Sequence, residues 1–134
     1  MGAQVPVELK LLVVAVIIGF VQIVWAAVTG AGGERNLAWL AGPRDDAKPL
    51  GVVGARLTRA LGNFLETFPL FAAALIACVL AGKLGPLTYY GAALYVASRA
   101  LYVPLYASGA PMIRTPVWMA SIVGIVMIIV AFFR

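Results

Sequence analysis

The chain has 134 residues, 63% of them apolar and only 11% charged, where a soluble domain sits near ~45–50% apolar and ~25% charged. Its ten Lys+Arg outweigh five Asp+Glu for a net +5, but the cations are scattered, which argues against a clustered basic face for nucleic acid. There is no histidine and a single cysteine, Cys78, which excludes a histidine general base, an internal disulfide and a Cys/His metal site.

A membrane-crossing helix needs ~20 mostly apolar residues, because a rise of ~1.5 Å per residue must cover ~30 Å of hydrocarbon. Four segments meet that length in chain order, near 9–28, 60–81, 87–107 and 115–133. Continuous apolar runs without period-two alternation predict helices rather than strands. The first run is longer than a signal-peptide core, follows Glu8, and reads as a retained span. The expected fold is an all-α integral membrane domain over residues 1–134, a four-transmembrane-helix bundle.

Glycine and proline mark the breaks: Gly30, Gly32 and Gly33, then Gly42, Pro43 and Pro49, then Gly82, Gly85 and Pro86, then Gly109 and Pro111. Four spans put both termini on one side and the loops 29–59 and 108–114 on the other. The loop side holds Arg35, Arg44, Lys48, Arg56, Arg59 and Arg114; the terminal side holds Lys10, Lys83 and Arg134. The positive-inside rule places the loops in the cytoplasm and the termini on the non-cytoplasmic side. Trp25, Trp39 and Trp118 fall on the loop side as interfacial anchors.

Charges within a membrane are costly and usually functional. Arg56, Arg59, Asn63 and Glu66 recur at spacings of 3, 4 and 3, and Tyr95, Arg99, Tyr102 and Tyr106 at 4, 3 and 4. Each set shares one helix face. With Arg114 and Thr115 opening the last segment, they predict one polar cleft near the cytoplasmic end. Four arginines around one carboxylate suit a small anion with several polar groups, because guanidinium grips carboxylates through paired hydrogen bonds. Glu66 then either binds an amine of that ligand or neutralises Arg99. A structural Glu66–Arg99 pair is the plainer reading of those two residues alone. Pro69 and Pro104 interrupt the second and third segments and either kink them to open the cleft or are merely tolerated. Cys78 reads as inert packing, and Ala73, Ala77 and Ala81 as a close helix contact.

The stretch RLTRALGNFLETFPLF, Arg56 to Phe71, resembles the signature of the MAPEG family, the membrane-associated proteins in eicosanoid and glutathione metabolism. SRALYVPLYASGAPMIRT, Ser98 to Thr115, resembles the family's second block, and AGPRDDA, Ala41 to Ala47, the loop of its bacterial members. The resemblance implies a homotrimer in a bacterial inner membrane, with glutathione as cosubstrate bound between protomers. It implies glutathione contacts at Arg59, Asn63, Glu66, Arg99, Tyr102, Tyr106 and Thr115. Arg114 matches the arginine that holds the thiolate in catalytic members. No metal is implied, and the partners are a second copy of the chain, membrane lipids and a lipophilic small-molecule substrate. Gly62 and Tyr102 depart from the prostaglandin synthase branch, which has arginine and histidine there. The expected activity is a glutathione transferase or peroxidase on lipophilic electrophiles or lipid hydroperoxides. The alternatives are a non-enzymatic lipid- or thiol-binding trimer and a small four-span exporter. The exporter reading lacks a carboxylate inside the first span.

Overall fold

The computed structural model describes residues 2–31, 35–110 and 112–134. Within them lie five helices: α1 Val7–Gly30, the short α2 Leu37–Ala41, α3 Val52–Leu80, α4 Pro86–Ser108 and α5 Arg114–Phe133. The four long helices form an up-and-down bundle. α3 and α4 are its central pair; α1 packs on both from one side and α5 on both from the other. The chain is a multi-pass integral membrane protein.

Three of the long helices, α1, α3 and α5, are both long and apolar enough to cross a membrane. The expected third span, α4, has the length, at 23 residues, but its Thr, Ser, Tyr and Arg side chains lower its apolar content. The packing accounts for this difference. α4 buries nine residues, among them Thr88, Tyr95, Ser98, Arg99 and Tyr102, so these polar groups face protein. α1 buries only Glu8, Ala15, Gly19 and Gln22 and turns valines, isoleucines and Phe20 outward. Polar residues inward and apolar residues outward is the arrangement lipid demands.

α3 starts eight residues before the expected position 60. Its 29 residues span about 43 Å at ~1.5 Å each, against a core of about 30 Å. The first turns, which carry Arg56 and Arg59, therefore have length to spare beyond the hydrocarbon. Periodic hydropathy missed this start because Gly51 to Arg59 mixes glycine and cations with valine.

The turns follow local chemistry. Pro86 occupies the first position of α4, where its missing N–H costs nothing. The Thr88 hydroxyl accepts from the Gly85 N–H at 2.9 Å and lies 3.1 Å from the Glu8 carboxylate, tying α1 to the base of α4. α4 ends at Gly109 in the left-handed region, φ 79°, with bonds from Gly109 N–H to Tyr106 O and from Ala110 N–H to Leu105 O. Gly32, Gly33 and Pro111, expected as breakers, lie outside the described residues.

The core runs along α3 and α4, with Phe71 stacked on Tyr95 at 4.1 Å between ring centroids and the Thr67 and Tyr95 hydroxyls bonded at 2.9 Å. Cys78 is fully buried, its thiol 3.4 Å from the Ile128 carbonyl, in keeping with a packing role. Of the three alanines expected to make a close helix contact, Ala77 is half-buried within the protomer, whereas Ala73 and Ala81 are exposed. Close approach is carried by glycines instead, where α4 and α5 cross. A Cβ on Gly124 would stand 2.6 Å from the Gly91 carbonyl, and one on Gly91 2.8 Å from the Gly124 carbonyl. Both obstacles are backbone, so neither helix relaxes cheaply. Gly124→Val is expected to cost at least about 1–3 kcal/mol, the usual scale of overpacking, read as a lowered unfolding temperature in detergent.

Candidate functional site

α3, α4 and the start of α5 bring a cationic and aromatic cluster together at the loop end of the bundle. At its floor lies Arg99, fully buried despite its charge. One guanidinium nitrogen, Nη1, donates to Asn63 Oδ1 at 2.9 Å. The group lies over Tyr102 at 4.3 Å and over Phe64 at 5.7 Å, contacts that favour a cation on a ring face. Its Nε and Nη2 have no hydrogen-bond partner among the described residues.

Nearer the helix ends, Tyr106 is the hub. Arg59 Nε donates to the Tyr106 hydroxyl at 3.1 Å, and the Arg114 guanidinium sits 4.5 Å from the centre of the same ring. Tyr102 and Tyr106 meet edge to face at 5.5 Å, which links the deep cation to the two outer ones. The helical spacing makes this possible: Arg99, Tyr102 and Tyr106 share the face of α4 that meets α3, and the α4–α5 turn returns Arg114 beside Tyr106.

Six of the eight expected site residues are therefore joined in one network: Arg59, Asn63, Arg99, Tyr102, Tyr106 and Arg114. Glu66 and Thr115 are not. Both are exposed. Of the two alternatives for Glu66, the ion pair with Arg99 is not formed within the protomer: the ion pair among the described residues is Lys48–Asp46, at 3.1 Å on the surface. Glu66 lies three residues past Asn63 on α3 and makes no hydrogen bond or ion pair to the cluster among the described residues. Arg56 also leaves the cleft, despite sharing the sequence stripe. Its Nη1 donates to the Ala107 carbonyl at 3.3 Å.

The loop cations serve the loop. Arg35 donates twice to the Lys48 carbonyl, at 2.9 and 2.7 Å, and Arg44 twice to the Leu40 carbonyl, at 3.0 and 2.8 Å. Both lie over the ring of Trp39, whose Nε1 donates to the Asp46 carbonyl. Trp39 thus organises the loop around α2.

Gln22 was missed by the sequence reading. It is 2% exposed on α1, and neither amide atom has a partner among the described residues. A glutamine inside an apolar run was the available signal. An orphaned buried amide costs about 1–3 kcal/mol. Gln22→Met, similar in shape and apolar, is expected to leave the bundle as stable or more stable by up to that amount, measured as the unfolding temperature in detergent. A marked loss of stability would mean that the amide is satisfied in the assembled protein.

What the fold and cluster define is a helical membrane protein with a buried cation among aromatic side chains. Residues 11–134 match the sequence profile of the MAPEG family, and the chain belongs to that family. No curated protein matches it closely enough to add a more particular identity. No solved structure matches it either.

Proposed function

We propose that this protein is a membrane-bound glutathione-dependent transferase or peroxidase acting on lipophilic electrophiles or lipid hydroperoxides. One observation carries the reading: Arg99 is a fully buried cation with two unpaired donors and no carboxylate partner among the described residues. Buried charge of this kind is costly unless something pairs it. A carboxylate ligand does so, and glutathione brings two. Family membership supports glutathione as the thiol.

In this reading Arg99 and Asn63 anchor a glutathione carboxylate at the cleft floor. Arg59 and the Tyr102 and Tyr106 hydroxyls orient the rest of the tripeptide. Arg114, resting on the Tyr106 ring, faces the thiol. Bound as a thiolate, glutathione supplies the nucleophile, which bonds to an electrophilic carbon while the leaving group departs with its electron pair. Arg114 favours the thiolate because a cation stabilises the charged form. Exposed Glu66 and Thr115 contribute at a boundary with a second protomer, where Glu66 meets the ligand's amine. This placement is consistent with a homotrimer that binds glutathione between protomers. The chain acts as one four-span domain in a bacterial inner membrane. α4 crosses as the shielded fourth helix, and the loops are cytoplasmic.

The test is a glutathione titration of the detergent-purified protein, following heat of binding and ultraviolet thiolate absorbance together. Saturable binding with a thiolate signal is expected. Binding without a thiolate would favour a non-catalytic thiol-binding protein, and no binding would remove the glutathione assignment.

A further inference from the structure

Arg56 has an unusual position for an arginine. It lies in the second turn of α3, a helix with no acidic residue in its first turn. Cations near a helix N-terminus are disfavoured by the helix dipole, so Arg56 does not serve its own helix. It reaches across to the opposite pole of another. Its Nη1 donates to the Ala107 carbonyl in the last turn of α4, where the dipole favours a cation and the carbonyls lack helical partners.

The reach is possible because residue 109 is glycine. A Cβ there would stand 2.8 Å from Cζ, Nη1 and Nη2 of Arg56 alike, so the guanidinium lies flat against the Gly109 backbone. Gly109 also needs its left-handed φ of 79° to close the helix. Glycine thus serves both the cap and the cation. The clamped turn holds Tyr106, the residue next to Ala107. Tyr106 in turn takes the hydrogen bond from Arg59 and carries Arg114 on its ring.

We propose that Arg56 is a positioning residue: by clamping the C-terminal turn of α4 it sets Tyr106 and, through Tyr106, the placement of Arg114 over the ligand thiol. The clamp itself rests on geometry alone; its effect on turnover rests on the function proposed above. Arg56 touches neither ligand nor reacting atoms in this scheme.

The experiment reads the clamp and the chemistry separately. The full chain is labelled with fluorotyrosine, and the Tyr106 resonance among the five tyrosines is assigned through Tyr106→Phe. Arg56→Met is expected to shift or broaden the Tyr106 line and leave those of Tyr89 and Tyr90, at the far end of α4, unchanged. In turnover assays normalised to the folded fraction, Arg56→Met is expected to lower kcat about tenfold with under a threefold change in KM for glutathione, the pattern of an interaction made in the transition state. Gly109→Asn keeps a residue that tolerates left-handed φ, yet its Cβ displaces Arg56. It is expected to reproduce the Arg56→Met line shift and rate loss. The double variant is expected to lose no more than either single one, because both break the same contact.

An unmoved Tyr106 line in Arg56→Met, or losses that multiply in the double variant, would overturn the clamp. A moved line with unchanged kcat in a protein that turns over glutathione would overturn the link to Arg114. If the wild type neither binds nor uses glutathione, the functional reading fails while the line shifts still decide the clamp.

Discussion

Arg99→Met is expected to do two opposite things: abolish glutathione binding and raise the stability of the ligand-free bundle. The binding loss follows from the two buried guanidinium nitrogens left unpaired among the described residues. A hydrogen bond to a charged group contributes ~1.5–3 kcal/mol. Losing two of them weakens affinity by at least ~100-fold at ~1.4 kcal/mol per decade. The stability gain follows from the same burial. Arg99 is fully enclosed, with Asn63 as its hydrogen-bond partner. Replacing such a charge by an apolar side chain of similar volume is often neutral or stabilising by ~1–4 kcal/mol.

A purely structural Arg99 predicts the reverse sign. In that case the bond to Asn63 and the contacts with Tyr102 and Phe64 would hold α3 to α4, and Arg99→Met would unfold the bundle at lower temperature. Titration calorimetry and thermal unfolding on one preparation separate the two. Arg99→Lys is expected to restore little affinity. A lysine presents a point charge, without the planar fork that spans Asn63 and a ligand carboxylate together.

The second large effect is at Arg114. Arg114→Ala is expected to lower kcat for conjugation by about 10²–10³-fold, the scale seen when one stabilising donor is removed from a developing charge, with little change in glutathione affinity. The reason is position. Arg114 is half-buried over the Tyr106 ring, and in the proposed site it serves the thiol while Arg99 and Asn63 hold a carboxylate, so its loss spares that anchor. A free thiol has a pKa near ~8.5, and a nearby cation lowers it by favouring the thiolate. In the wild type, turnover therefore holds to lower pH and falls only as the thiolate is protonated. In Arg114→Ala the falling limb moves up toward the ordinary thiol range, so part of the lost rate returns as pH rises. A pH–rate profile that keeps its shape in the variant would remove Arg114 from the chemistry.

Much of this arrangement was legible in the sequence. Tyr95, Arg99, Tyr102 and Tyr106 share a face because helical periodicity puts residues three and four apart above one another. The structure places Arg99 and both later tyrosines where that face meets α3. The apolar runs likewise locate α1 and α5 to within a few residues. Other features were not legible because they depend on where a side chain ends rather than where its backbone starts. Arg56 and Arg59 lie on the same stripe of α3. One reaches past it to Ala107 and the other stops at Tyr106. Glu66 shares the stripe as well, but α4 meets α3 at Asn63 and leaves Glu66 outside.

Sequence by itself determined that this chain lives in a membrane, that it is helical, and which polar residues a helix would align. Those follow from hydrophobicity and backbone geometry, which act locally along the chain. Only the tertiary structure decided that α4, read from the sequence as a span, is a shielded member of the central pair, and that Gly91 and Gly124 seat it against α5. It also decided that Arg99 answers to Asn63 and leaves two donors free. Those outcomes depend on how closely two helices approach and which neighbour satisfies a buried charge, quantities set by packing between segments distant in sequence.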